Sequence, residues 1–203
     1  MDRKAHWEKV YQEKAADTVS WYQQSPQLSL SMIGELALSN DAPIIDVGGG
    51  ASLLVDCLLN EGYSNLSVLD ISQAAIDLDR KRLAARANKV TWIAEDITLF
   101  KPSQTYQLWH DRAVFHFLTD SNDRLRYIEA LLSATEPGSC VIVATFALDG
   151  PEKCSGLPIV QYDEEKICGV LGEEFKLANV KSEKHLTPWQ SEQSFNYFKL
   201  IRK

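Results

Sequence analysis

Apolar positions along this chain follow two alternating rhythms. Between about residues 43 and 147, short consecutive apolar runs are separated by stretches in which apolar residues recur every three or four positions. Pro43 to Val47, Leu66 to Leu69, Val90 to Ala94, Tyr106 to His110 and Cys140 to Phe146 read as strands. Ser52 to Asn60, a segment capped by Ser72 and running to about Ala87, and Asp123 to Thr135 read as helices. Strands alternating with helices predict an α/β, doubly wound domain with a parallel sheet covered on both faces. The rhythm changes towards the C-terminus. Glu164 to Leu171 predicts a helix ended by Gly172, and Phe175 to Lys184 and Phe195 to Ile201 then follow with no helix between them. Such consecutive strands pair antiparallel. The first forty residues carry two helical patterns, Trp7/Val10/Tyr11 and Leu28/Leu30/Ile33/Leu36/Leu38, separated by Ser20-Trp21-Tyr22.

The junction of the first strand and helix carries chemistry. Ile44-Ile45-Asp46-Val47-Gly48-Gly49-Gly50-Ala51-Ser52-Leu53 is an apolar run ending in an acid, three glycines and a helical pattern. A bare backbone turn at the carboxyl end of a parallel strand admits a nucleoside-bearing ligand. A dinucleotide fingerprint needs a third glycine where this chain has Leu53, and Asp46 would repel a pyrophosphate. The acid suits a ligand with positive charge and no phosphate, such as S-adenosylmethionine with its ammonium and sulfonium. Two more acids, Asp70 and Asp96, follow the next two strands. All three are expected to converge on one crevice, Asp70 on ribose hydroxyls and Asp96 on an adenine amino group.

Composition narrows the partners. The chain has 203 residues and a net charge of −7, with 45% hydrophobic residues. One domain with a full core is expected, and no basic patch supports nucleic-acid or anionic-membrane binding. No apolar run approaches a membrane span and the N-terminus lacks a signal-type stretch, so the expectation is a cytoplasmic protein. Cys57, Cys140, Cys154 and Cys168 form no C-x-x-C pair, and neither they nor the four histidines have metal-ligand spacing, so no metal is expected.

The strand-acid-glycine turn followed by two strand-end acids resembles the class I, seven-stranded, Rossmann-like S-adenosylmethionine-dependent methyltransferases. The resemblance covers essentially the whole chain. It implies a mostly parallel seven-stranded sheet with an antiparallel C-terminal strand pair. It also implies a helical cap over the cofactor site at residues 1–42, a cofactor-binding core at 43–147 and a substrate-side loop and hairpin at 148–203. The implied cofactor contacts are Asp46, Gly48, Gly49, Gly50, Asp70, Ile71, Asp96, Ile97 and His110, with S-adenosylhomocysteine as product. Ser52 stands where the family often has its last motif glycine.

In this family the stretch after the fourth strand, here Trp109 to Leu118, lies beside the transferred methyl group. Asp111 and His116 are therefore the expected catalytic residues. His110 and His116 flank that position with a side chain suited to taking a proton, although packing among Phe115, Phe117 and Leu118 is an equally direct reading of His116. Trp21, Tyr22, Cys154 and His185 are substrate-side candidates. The neighbourhood also resembles a branch that methylates lysines of translation factors and metabolic enzymes, whose motif after this strand tends to read D/E-K-G-T-hydrophobic-D. Asp111-Arg112-Ala113-Val114-Phe115-His116 keeps the first acid and replaces the Gly-Thr pair. The expectation leans to a small-molecule acceptor, with a protein lysine second, in a monomer or weak dimer. A nicotinamide oxidoreductase and a non-catalytic cofactor-binding module are the rival readings, the first opposed by Asp46 and Leu53.

Overall fold

The computed structural model describes residues 2–203. Its sheet contains strands β1 (Ile44–Val47), β2 (Leu66–Asp70), β3 (Val90–Ala94), β4 (Leu108–Arg112), β5 (Cys140–Phe146), β8 (Phe175–Leu186) and β9 (Glu192–Arg202), with a two-stranded hairpin of β6 (Lys153–Cys154) and β7 (Leu157–Pro158) apart from it. The order is β3-β2-β1-β4-β5-β9-β8. The first five are parallel, and β9 pairs antiparallel with both β5 and β8. Among the described residues six α-helices accompany them: α1 (Arg3–Glu13), α2 (Gln27–Gly34), α3 (Leu54–Asn60), α4 (Gln73–Leu83), α5 (Ser121–Ala134) and α6 (Glu164–Leu171).

Alternation along the strands divides the core into two layers. Ile45 and Val47 of β1 join Trp109, Tyr127 and Phe198 on one face, while Ile44 joins Leu108, Ile142 and Tyr197 on the other. The chain moves outward from β1 through β2 to β3, then returns to place β4 on the other side of β1. That reversal opens a crevice at the carboxyl ends of β1 and β4, where open α/β sheets bind ligands.

Element boundaries differ from the sequence expectation in instructive places. The fourth strand runs Leu108–Arg112 rather than Tyr106 to His110. The expected strand ended at His110, yet Asp111 and Arg112 find side-chain partners in Tyr127 and Tyr197 and stay in the sheet with it. The helix after the glycines begins at Leu54, because Ser52 turns back through a backbone bond to Gly49 at 3.0 Å and accepts the Leu54 N–H on its hydroxyl at 3.1 Å. Helix α4 does begin at its Ser72 cap but stops at Leu83, and 3₁₀ turns complete the path to Lys89. Leu36 and Leu38 lie beyond α2 and still pack on the core. The terminal strands are longer than expected and joined by a tight turn in which the Thr187 N–H bonds Ser191 at 2.9 Å.

Candidate functional site

Three strand ends build one side of the crevice. At β1, Asp46 is buried and its Oδ1 lies 2.7 Å from His110 Nδ1, whose other ring nitrogen is 2.9 Å from the Ser29 hydroxyl of α2. The chain then turns through Gly48 at φ +72°. A β-carbon on Gly48 would collide with Val114, one on Gly49 with the Asp46 carboxylate, and one on Gly50 with the Asp70 carboxylate and Ala75. The glycines thus let the turn pack against the protein's own strand ends, a tighter reason than ligand room alone.

At β2, Asp70 accepts the Ser72 N–H at 2.8 Å and the Gly50 N–H at 3.1 Å. Burial pushes its carboxyl up to about 7 in spite of these bonds and with the help of nearby Asp46 and Glu8. Beyond β3, Asp96 Oδ1 accepts from the Thr98 N–H and hydroxyl at 2.9 and 2.8 Å, and its Oδ2 meets Arg3 at 3.1 Å.

Helix α1 closes the crevice from above. Arg3 also reaches Asp123 of α5 at 2.9 Å. Five residues on, the Glu8 carboxylate accepts the Gln73 and Ala74 N–H groups at 2.7 and 3.0 Å and the Ser72 hydroxyl at 3.1 Å, capping α4. Under this clasped helix lies a cavity of about 800 Å³, counted with its open mouth. Its lining combines Asp70, Ile71, Asp96 and Ile97 with an aromatic set of Trp7, Trp21, Phe117, Phe146 and Phe195. Trp7 meets Phe117 and Trp21 edge-on, with ring centroids 5.1 and 5.5 Å apart. A second cavity of about 540 Å³ follows Asp46 and the glycine turn, and Trp21, Gly48 and Arg112 border both.

Comparison with known proteins agrees with this architecture. Residues 44–138 match a methyltransferase domain family. That match takes in 95 of the 203 residues, from the first strand to the turn before the fifth. It is 25% identical over 131 residues to the eEF1A lysine and N-terminal methyltransferase of Bos taurus, a stretch covering 63% of this chain and only 18% of that protein. Among solved structures, a SAM-dependent methyltransferase from Anabaena variabilis superimposes with a TM-score of 0.78 at 11% identity, covering 100% of this chain and 96% of that one. The glycopeptide N-methyltransferase MtfA, solved with S-adenosylhomocysteine, does so with a TM-score of 0.69 at 10% identity over 90% and 92% of the two chains. At these identities the structural likeness establishes the class I methyltransferase fold.

Within this fold the residues nominated from the sequence separate into three groups. Asp70, Ile71, Asp96, Ile97, Cys154 and Trp21 line the main cavity; Asp46, Gly48, Gly49, Gly50, Tyr22 and His110 line the adjoining one. His185 lies outside both, facing a shallow surface recess, with its Nε2 2.7 Å from the Ser20 carbonyl and its pKa lowered by burial. Asp111 and His116 line neither cavity, a correction to their expected placement. Asp111 points to the opposite face of β4, where it accepts the Val114 and Phe115 N–H groups at 2.9 and 3.4 Å and the Tyr127 hydroxyl at 2.7 Å. Burial raises its carboxyl to about 6 against those bonds. His116 sits fully buried in the 3₁₀ turn Phe115–Phe117, where Nδ1 accepts the Phe146 N–H at 3.3 Å. Burial and the Arg112 charge push its pKa down to about 3, so the ring is a neutral core group behind the wall.

Sequence reasoning passed over Arg3, Tyr11, Phe146, Phe195 and Arg112, all of which line the main cavity. One signal for Arg112 was available. In a strand it shares a face with His110, two residues away, and not with Asp111. Among the described residues no cluster of three or more His, Cys, Asp or Glu side chains has metal-holding geometry, and no helix is long and apolar enough to cross a membrane.

Proposed function

We propose that this chain transfers the methyl group of S-adenosylmethionine to a small molecule held in the aromatic end of the main cavity. The observation that carries the reading is the arrangement of Asp46, Asp70 and Asp96 at three neighbouring strand ends around a glycine turn, opening into that aromatic chamber. The donor set fits the cofactor. In this reading Asp70 takes the ribose hydroxyls, Asp96 and Ile97 the adenine, and Asp46 with the turn the methionine portion. When bound, the cofactor supplies an electrophilic methyl on a sulfonium. The protein's part is to align the acceptor and exclude water.

Two side chains bear on the acceptor proton. Burial pushes the Cys154 thiol up to about 11, so it is a neutral wall at physiological pH. His116 is screened from the chamber. An acceptor that arrives already ionised needs no base at this end.

Isothermal titration with S-adenosylhomocysteine tests the cofactor assignment: saturable binding is expected, and no heat with either cofactor form would sink it. Transfer to a protein lysine is the second reading, favoured by the likeness to the bovine eEF1A methyltransferase. Incubating host lysate with methyl-labelled cofactor separates the two. Label in the soluble small-molecule fraction is expected; label concentrated in one protein band would replace the small-molecule reading with the second. Intact cofactor binding with no turnover on any acceptor would reduce the protein to a binding module.

A further inference from the structure

The acceptor end of the main cavity combines aromatic walls with one guanidinium. Arg112 closes β4 with a side chain only 10% exposed, its Cζ stacked 4.6 Å from the Phe195 ring centroid. Two parts of its fork are fixed: Nε donates to the Tyr197 hydroxyl at 2.7 Å and Nη1 to the Trp21 carbonyl at 3.0 Å. The third, Nη2, is buried and has no hydrogen-bond partner among the described residues. Glu183 lies 3.7 Å away, too far to accept from it. Its carboxylate is already engaged by Gln23 Nε2, 3.2 Å from each oxygen, and by the Tyr197 hydroxyl at 2.9 Å. Glu183 therefore offsets the charge of Arg112 without satisfying its N–H groups. A buried guanidinium with an unpartnered donor is costly unless something completes it, and its planar fork matches a carboxylate.

We propose that Arg112 is the anion-binding group of the acceptor site and that the acceptor is a compact organic acid. Its aromatic or apolar body packs among Trp7, Trp21, Phe117, Phe146 and Phe195, and its carboxylate accepts from Nη2. This assignment rests on the methyltransferase reading. It also sets the charge preference of the chamber against the net −7 of the whole chain. A lysine ammonium entering beside Arg112 would find no free acceptor there, since Glu183 already has its donors.

The test uses protein saturated with S-adenosylhomocysteine, titrated with benzoate and 2-naphthoate, the matching carboxamides and the matching aminomethyl compounds. Carboxylates are expected to bind at least about tenfold more tightly than carboxamides, with no detectable binding of the amines, in keeping with the weight of a charge-assisted hydrogen bond. Equal affinity across the series, or binding by no member, overturns the assignment without need of any variant. R112M and R112K then locate the preference. Both are expected to lose carboxylate affinity by at least about tenfold more than they lose cofactor affinity, with R112K retaining the larger share. A carboxylate preference that survives in R112M, or equal loss of both ligands, would remove Arg112 from the acceptor side. If the wild-type protein fails to bind S-adenosylhomocysteine at all, the methyltransferase reading itself falls.

Discussion

The carboxyl ends of β2 and β4 each carry a buried acid, and the two acids do opposite things. Asp70, ending β2, is held by two backbone N–H groups and still lines the cavity. Asp111, the penultimate residue of β4, is held by two backbone N–H groups and a tyrosine hydroxyl and lines neither cavity. The contrast comes from the strand's period of two. At β4 the crevice face falls on His110 and Arg112, so Asp111 points into the core beside Tyr127, where it braces the turn that carries Val114 and Phe115. A strand-end acid is therefore a ligand contact or a structural anchor according to which face of the sheet it takes. Residue type alone does not distinguish the two.

The sharpest way to break this comparison begins at the glycine turn facing both ends. Gly48→Val should abolish cofactor binding in calorimetric titration, since the new side chain collides with Val114 at a φ of +72°. Unchanged affinity would mean that the ligand sits elsewhere. Asp111→Ala is expected to cost about 3 kcal/mol or more in denaturant unfolding, because two backbone donors and the Tyr127 hydroxyl lose a buried anionic acceptor. A variant that unfolds like the wild type but has lost turnover would return Asp111 to the acceptor site and erase the contrast with Asp70.

Asp70→Ala should weaken cofactor binding by roughly 1.5–3 kcal/mol, the range for hydrogen bonds to a charged group, with a smaller effect on unliganded stability. The pH response sharpens this point. The folded carboxyl, raised to about 7, holds its proton more tightly than an unfolded Asp near ~3.9. Its contribution to unliganded stability is therefore greatest below about pH 4 and falls as pH rises through about 7. Cofactor affinity runs the other way, rising through the same window as the carboxylate forms to accept ribose hydroxyls. Asp70→Asn should flatten both profiles, and a stability slope that persists in that variant would place its origin in another buried acid.

Smaller effects concern the cap. Arg3→Gln removes the part-exposed bridge from α1 to Asp96 and Asp123, at ~0.2–1 kcal/mol per pair, and should speed cofactor dissociation by a few-fold in stopped-flow measurements. An unchanged rate would mean that Glu8 alone latches the helix. Ser52→Gly should be nearly silent in affinity and cost only a few tenths of a kcal/mol in stability, since glycine also serves where the Leu54 N–H is capped.

What the sequence determined by itself is what is written locally. The alternation of apolar rhythms set the order of strands and helices, and the acid-glycine turn with Asp70 and Asp96 marked the crevice, because a turn and its flanking strand ends are contiguous residues with a fixed geometry. The terminal strands were legible as an antiparallel pair for the same reason. The acceptor end was decided only in three dimensions. Trp7 and Trp21 come from the N-terminal cap, Phe117 from the turn after β4, Phe146 from the end of β5 and Phe195 from β9. No spacing connects them. The fourth strand was expected to end at His110 because the partners that keep Asp111 and Arg112 in the sheet, Tyr127 and Tyr197, lie on other elements. Only the packed sheet, by sending alternate side chains to opposite faces, settled that Asp111 holds the core while Arg112 faces the cavity.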